Sequence, residues 1–140
     1  MDDSPTSRIE SGKLDIIGRE ARIEFGGLLE GVSTIAKVDT GAYTGGLHVF
    51  DIQDDEAGEI SFIPVSRDNR RVATKKYRKK WVKASNGEKE IRYVISVLAK
   101  IDGFSAVLEL TLADRSEMKY DMLIGRKNLA NKFLVDVAKK

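Results

Sequence analysis

The chain has no cysteine, two prolines and one histidine in 140 residues, and each shortage removes a class of chemistry. Without cysteine there is no disulfide, no thiolate metal site and no thiol nucleophile. With His48 as the sole histidine, neither a Ser/His/Asp constellation nor a His-Glu-x-x-His zinc helix stands out. His48 and Asp51 make half a ligand set, and a structural strand position is the simpler reading of that histidine, so no metal or other cofactor is expected. No apolar run approaches the ~20 residues of a membrane span. The opening residues, Met1-Asp2-Asp3-Ser4-Pro5-Thr6-Ser7, are acidic and polar where a secretory signal is basic and then apolar. Cytoplasmic residence without a membrane partner is the expectation. Few prolines and a 41% hydrophobic content exclude a disordered chain.

What is present suits a single β-rich domain. A chain of this length buries roughly two-thirds of its unfolded surface, enough for a core without staples. Residues 1 to 12 read as a flexible tail and 13 to 140 as one domain. Short β-type segments run over Leu14 to Ile17, Ala21 to Phe25, Ser33 to Val38, Leu47 to Ile52, Ile60 to Val65, Trp81 to Ala84, Ile91 to Leu98 and Phe104 to Leu112. Gly- and Asx-rich punctuation separates them, which predicts an all-β barrel or sandwich. Asn86-Gly87 and Asp102-Gly103 each suit a two-residue hairpin turn with positive φ at both positions. One short helix is expected after Gly125, with Leu129 and Phe133 on one face.

Charge is unevenly placed. Residues 67 to 83 hold nine Lys/Arg against Asp68 alone, and the remainder carries 15 basic against 21 acidic residues. Three readings of that segment stand. It is a solvated loop, a nucleic-acid or ribosome contact with Tyr77 and Trp81 between the charges, or a substrate-covering arm leading to a flap at Ser85-Asn86-Gly87. On the third reading Lys79 and Lys80 attract an acidic peptide.

The residues richest in chemistry are Asp39-Thr40-Gly41, which follow the apolar strand Thr34 to Val38. A carboxylate ending a buried strand, then a small hydroxyl residue, then a Gly that admits close backbone approach, suits a water-activating carboxylate pair. Asp, Thr and Gly are also turn formers, so a plain Asx turn is the alternative. Met122-Leu123-Ile124-Gly125 echoes the first segment, as two halves crossing beneath a site would.

Lys37-Val38-Asp39-Thr40-Gly41-Ala42, Leu47-His48, the Ala84 to Gly87 hairpin, Leu123-Ile124-Gly125-Arg126 and Phe133 to Asp136 together resemble the small retropepsin-like family encoded beside RimK-type glutamate ligases. That family is often labelled an ATP-dependent zinc protease. The resemblance spans roughly residues 14 to 137 and implies a homodimeric retropepsin-like closed barrel with one short C-terminal helix. It also implies an aspartic dyad with one Asp39 from each chain, and trimming of glutamate tails. Asp39 is then the catalytic carboxylate, Thr40 the brace between the two loops and Gly41 the close-approach residue. Leu123, Ile124 and Gly125 support the loop from beneath, while Ala42, Tyr43 and Arg126 face substrate, Arg126 having an ion-pairing structural role as its alternative. Many relatives carry Arg where Tyr43 stands, so a substrate carboxylate read by that Arg must be read elsewhere here. A different class remains open: a non-catalytic module on the same fold, using the basic 67 to 83 segment to hold RNA, ribosomal protein or an acidic partner.

Overall fold

Period-two alternation writes most of the strands. Glu20–Phe25 (β2) buries Ala21, Ile23 and Phe25 and turns Arg22 and Glu24 outward. Phe104–Ala113 (β9) does the same with Ala106, Leu108, Leu110 and Leu112. The computed structural model describes residues 14–65, 69–83, 86–114 and 117–139. The expected tail, together with Arg67, Asp68 and Ser85, lies outside them. Among the described residues the other strands are Asp15–Ile17 (β1), Ser33–Val38 (β3), Gly45–Asp54 (β4), Ile60–Pro64 (β5), Val72–Thr74 (β6), Arg78–Lys83 (β7), Lys89–Ile101 (β8), Met122–Ile124 (β10) and Phe133–Val135 (β11). A 3-10 turn at Gly27–Leu29 and a helix at Arg126–Leu129 (α1) complete the list.

Six strands close a barrel in the order β10, β3, β2, β8, β9, β4 and back to β10. The closing element is the shortest of them. β10 runs parallel to β3, with Ile124 beside Val38, and antiparallel to β4, with Met122 beside Leu47. Closure pairs both its edges and buries Met122 and Ile124 completely, which a three-residue strand at an open edge could not do. The barrel interior is filled by Ile23, Leu47, Ile95, Leu108, Leu110 and Leu112 among others.

Two long strands serve twice. The first half of β8 pairs with β7 and its last residues pair with β2, while β4 leaves the barrel to pair with β5. On β4 a bulge sets Asp51 and Ile52 against Phe62 alone, with Asp51 at φ +50°.

Asp102 and Gly103 take φ +50° and +89° between the paired residues Ile101 and Phe104, the expected two-residue turn. The other hairpin differs. A two-residue turn at Asn86-Gly87 would set Lys83 opposite Glu90, whereas Lys83 stands opposite Lys89, with an Asx turn from Glu88 N–H to Asn86 Oδ1 at 3.0 Å. The helix is also shorter than the Leu129/Phe133 spacing predicts. Ala130 swings to ψ 130° and Asn131 to φ +66°, ending the helix and placing Phe133 in β11 beside Asp15 of β1. The described part of the basic segment, 69–83, is not one loop, for it includes β6, a bend and β7, which among the described residues pairs with β8 alone.

Candidate functional site

Asp39 leaves β3 as the strand ends and is fixed at three points. Its N–H donates to Ile124 O of β10 at 2.9 Å, its carbonyl accepts Ala42 N–H at 3.2 Å, and its Oδ1 accepts Gly41 N–H at 2.9 Å. The Asx turn expected as the alternative is therefore present, and it is what orients the half-buried carboxylate. A Cβ on Gly41 would stand 3.2 Å from that Oδ1, so glycine leaves room for the approach. Thr40 is exposed, and its hydroxyl makes no hydrogen bond among the described residues.

Behind the turn lies a packed backbone junction. Gly125 sits against residues 43 and 44, where a Cβ would come within 2.6 Å of Thr44 O. Arg126 N–H donates to Ala42 O and Lys127 N–H to Tyr43 O, both at 2.8 Å, so the first turn of α1 grips the Asp39 loop. Asn128, which sequence reasoning missed, is buried among these groups. Its Oδ1 accepts Gly125 N–H at 3.1 Å and its Nδ2 donates to Glu109 O at 3.1 Å. The available signal was an amide-bearing residue at the third helical position after Gly125, where it caps the helix start.

Glu109 extends the support outward. Its carboxylate receives Lys127 Nζ at 2.8 Å and also pairs with Arg78 of β7. The Lys127 hydrogen bond first, and Arg78 after it, hold this carboxyl below its ordinary value of 4.5 against the opposing effect of partial burial.

Arg126 forms no ion pair among the described residues. Its Nη1 donates to Thr40 O at 3.0 Å, and its guanidinium lies 5.6 Å from the centre of the exposed Tyr43 ring. Thus a guanidinium does stand beside residue 43, supplied from α1. Lys79 is engaged differently from expectation: its Nζ lies 2.9 Å from Asp54, which also accepts the Tyr93 hydroxyl at 2.9 Å. Lys79 foremost holds the Asp54 carboxyl below its ordinary value. Lys80 faces Arg92 across the hairpin, and neither lysine contacts the Asp39 turn. Asn86 and Gly87 lie at the hairpin end, while Ser85 is outside the described residues.

The half ligand set considered for zinc does not assemble. Asp51 pairs with Arg71, whereas His48 is buried on β4 with Nδ1 3.6 Å from Asp114 and its ring edge-on to Phe50. Among the described residues no three acidic or histidine side chains gather as a metal site.

A cleft of about 400 Å³ flanks the strand that delivers Asp39, lined by Arg19, Glu20, Lys37, Val38, Lys119 and Tyr120. Glu20 accepts the Tyr120 hydroxyl, and none of the three cations has a described carboxylate within ion-pair distance. The sequence reading missed this cluster because its members come from three separate segments. No helix among the described residues is long and apolar enough to cross a membrane.

Comparisons with known proteins agree with this fold. Residues 23–140 match the family described as RimB-like, retropepsin-like aspartic endopeptidase RimB. A protein named "Probable alpha-L-glutamate ligase" from Shewanella pealeana is 39% identical over 130 residues, 86% of this chain and 28% of that one. A protein of the same name from Parasynechococcus marenigrum is 38% identical with the same coverage. The chain thus spans about 28% of the length of these curated relatives. A Legionella pneumophila protein of unknown function, known from its crystal structure, has the same fold with a TM-score of 0.63 at 22% identity, over 89% of this chain and 94% of that one. By fold, by the Asp39 turn gripped from beneath by β10 and α1, and by the family match over residues 23–140, this chain belongs to the RimB-like family of retropepsin-like aspartic endopeptidases.

Proposed function

We propose that this chain is half of a homodimeric aspartic peptidase that cleaves acidic, glutamate-rich peptide tails in the cytoplasm. The observation that carries the reading is the Asp39 carboxylate, half-exposed and oriented by Gly41 N–H on a turn anchored to β10 and α1. One chain supplies one such carboxylate. Two facts favour a second chain: among the described residues the Thr40 hydroxyl makes no hydrogen bond, and β1 and β11 pair only with each other. Two three-residue strands are marginal alone, and Ile16 and Leu134, opposite each other, are exposed on them.

Two Asp39 carboxyls at hydrogen-bonding distance share one proton, because both cannot ionise cheaply. The ionised member takes a proton from water as its oxygen attacks the scissile carbonyl carbon, and the protonated member donates to the carbonyl oxygen. The C–N bond then breaks, with a proton passing to the departing nitrogen. The cationic cleft of Arg19, Lys37 and Lys119 beside Val38 supports an acidic substrate, since it offers positive charge next to the reacting group. So does the ligase name of the longer relatives, which joins this module to glutamate chemistry.

The test is hydrolysis of a glutamate-tailed peptide followed by mass spectrometry. Asp39→Asn keeps shape but removes the ionised member, and should lower the rate about a hundredfold or more. Hydrolysis near the parent rate overturns the proposal. A chelator that stops hydrolysis where Asp39→Asn does not would point to metal chemistry instead.

A further inference from the structure

Trp81 is the sole tryptophan of the chain and is 66% exposed, in the middle of the most basic strand of the fold. Edge strands commonly carry lysine to block pairing with other chains, and among the described residues β7 pairs along one edge only, with β8. That explains the charges and leaves the indole unexplained, because edge protection replaces large apolar side chains and does not display them.

The register shows what surrounds it. On one face of the β7–β8 hairpin Lys79 stands opposite Tyr93, Trp81 opposite Ile91, and Lys83 opposite Lys89. On the other face Lys80 stands opposite Arg92. Like charges directly opposite in an antiparallel pair are destabilising. Arg92 is answered by Glu90 at 2.9 Å and Lys79 by Asp54. Lys80, Lys83 and Lys89 have no described carboxylate within ion-pair distance. The Trp81 face therefore presents a flat ring with Ile91 opposite it and with Lys79 and Lys83 on either side along the strand, each about 7 Å from Trp81.

We propose that this face, Trp81 and Ile91 with Lys83 and Lys89, binds single-stranded nucleic acid, one base stacking on the indole while the lysines hold flanking phosphates. A solvent-facing aromatic among cations is what stacking platforms use, and stacking tolerates any base. An acidic peptide would satisfy the lysines but gives the indole nothing to stack on. The site is independent of Asp39, and its test reads binding alone.

Intrinsic fluorescence reports on Trp81 without labelling. A single-stranded RNA twelve-mer added to the intact protein should quench it, and the affinity should fall with salt. Trp81→Ala, read by anisotropy of labelled RNA, should weaken binding about five- to hundredfold, while Trp81→Phe retains most of it. Lys83→Gln with Lys89→Gln should flatten the slope of log affinity against log salt by about 1.4, at about 0.7 for each phosphate released. A polyglutamate peptide of matched charge that binds as tightly, with Trp81→Ala silent, overturns the proposal in favour of an acidic protein partner. Absence of binding to either polyanion at low salt overturns it in favour of edge protection alone.

Discussion

Asn128 and Gly125 decide whether the Asp39 turn is rigid. The amide of Asn128 satisfies two backbone groups, the buried Gly125 N–H and the partly buried Glu109 C=O. Asn128→Ala should orphan both and destabilise the fold by about 1–3 kcal/mol for each group left unpaired. Asn128→Asp keeps the acceptor for Gly125 N–H but sets a buried carboxylate against the Glu109 carbonyl oxygen, so it should cost more than the alanine. Urea unfolding of the three proteins checks this order, and equal midpoints would show that the junction tolerates unpaired groups. Arg126 belongs to the same scale. Its bond to Thr40 O and its position over Tyr43 make it a brace of the loop in the single chain.

Between elements, the clearest coupling runs from β7 through Glu109 to α1. Arg78 and Lys127 meet on one carboxylate, so the strand that carries the basic hairpin is tied to the helix that grips the Asp39 loop. Because Glu109 is held below its ordinary 4.5, the folded state binds fewer protons than the unfolded one in that window. Its contribution is therefore complete above about 4.5 and lost as pH falls through the lower folded value. Glu109→Gln should be less stable than the parent at pH 6, and the gap should narrow towards pH 3. Denaturant midpoints at both pH values measure it, and a gap that widens on acidification would contradict the assignment.

For the whole molecule the question is assembly. If β1 and β11 complete their sheet against a second chain, activity per chain should fall on dilution as the dimer dissociates. Ile16→Asp combined with Leu134→Asp alters exposed side chains on that sheet and should give a monomer with native circular dichroism and no hydrolysis. Sedimentation showing a fully active monomer of the parent would sink the shared-site reading.

The sequence by itself determined the strands whose alternation is strong, the Asp102-Gly103 turn, and the Asx turn that is one reading of Asp39-Thr40-Gly41, because periodicity and turn propensity are written in neighbouring residues. It marked Met122 to Gly125 as a second segment for the same reason, and the structure sets that segment beside Val38 and against the Asp39 turn. It misjudged the register of the β7–β8 hairpin and the reach of α1, where pairing with β8 and with β1 overrides local preference. Only the tertiary structure decided which charges answer one another: Lys79 met Asp54 and Arg78 met Glu109, while Arg19, Lys37 and Lys119 came together around one cleft. Electrostatic partnership depends on distance through space, and barrel closure by β10 sets those distances between residues that are far apart along the chain.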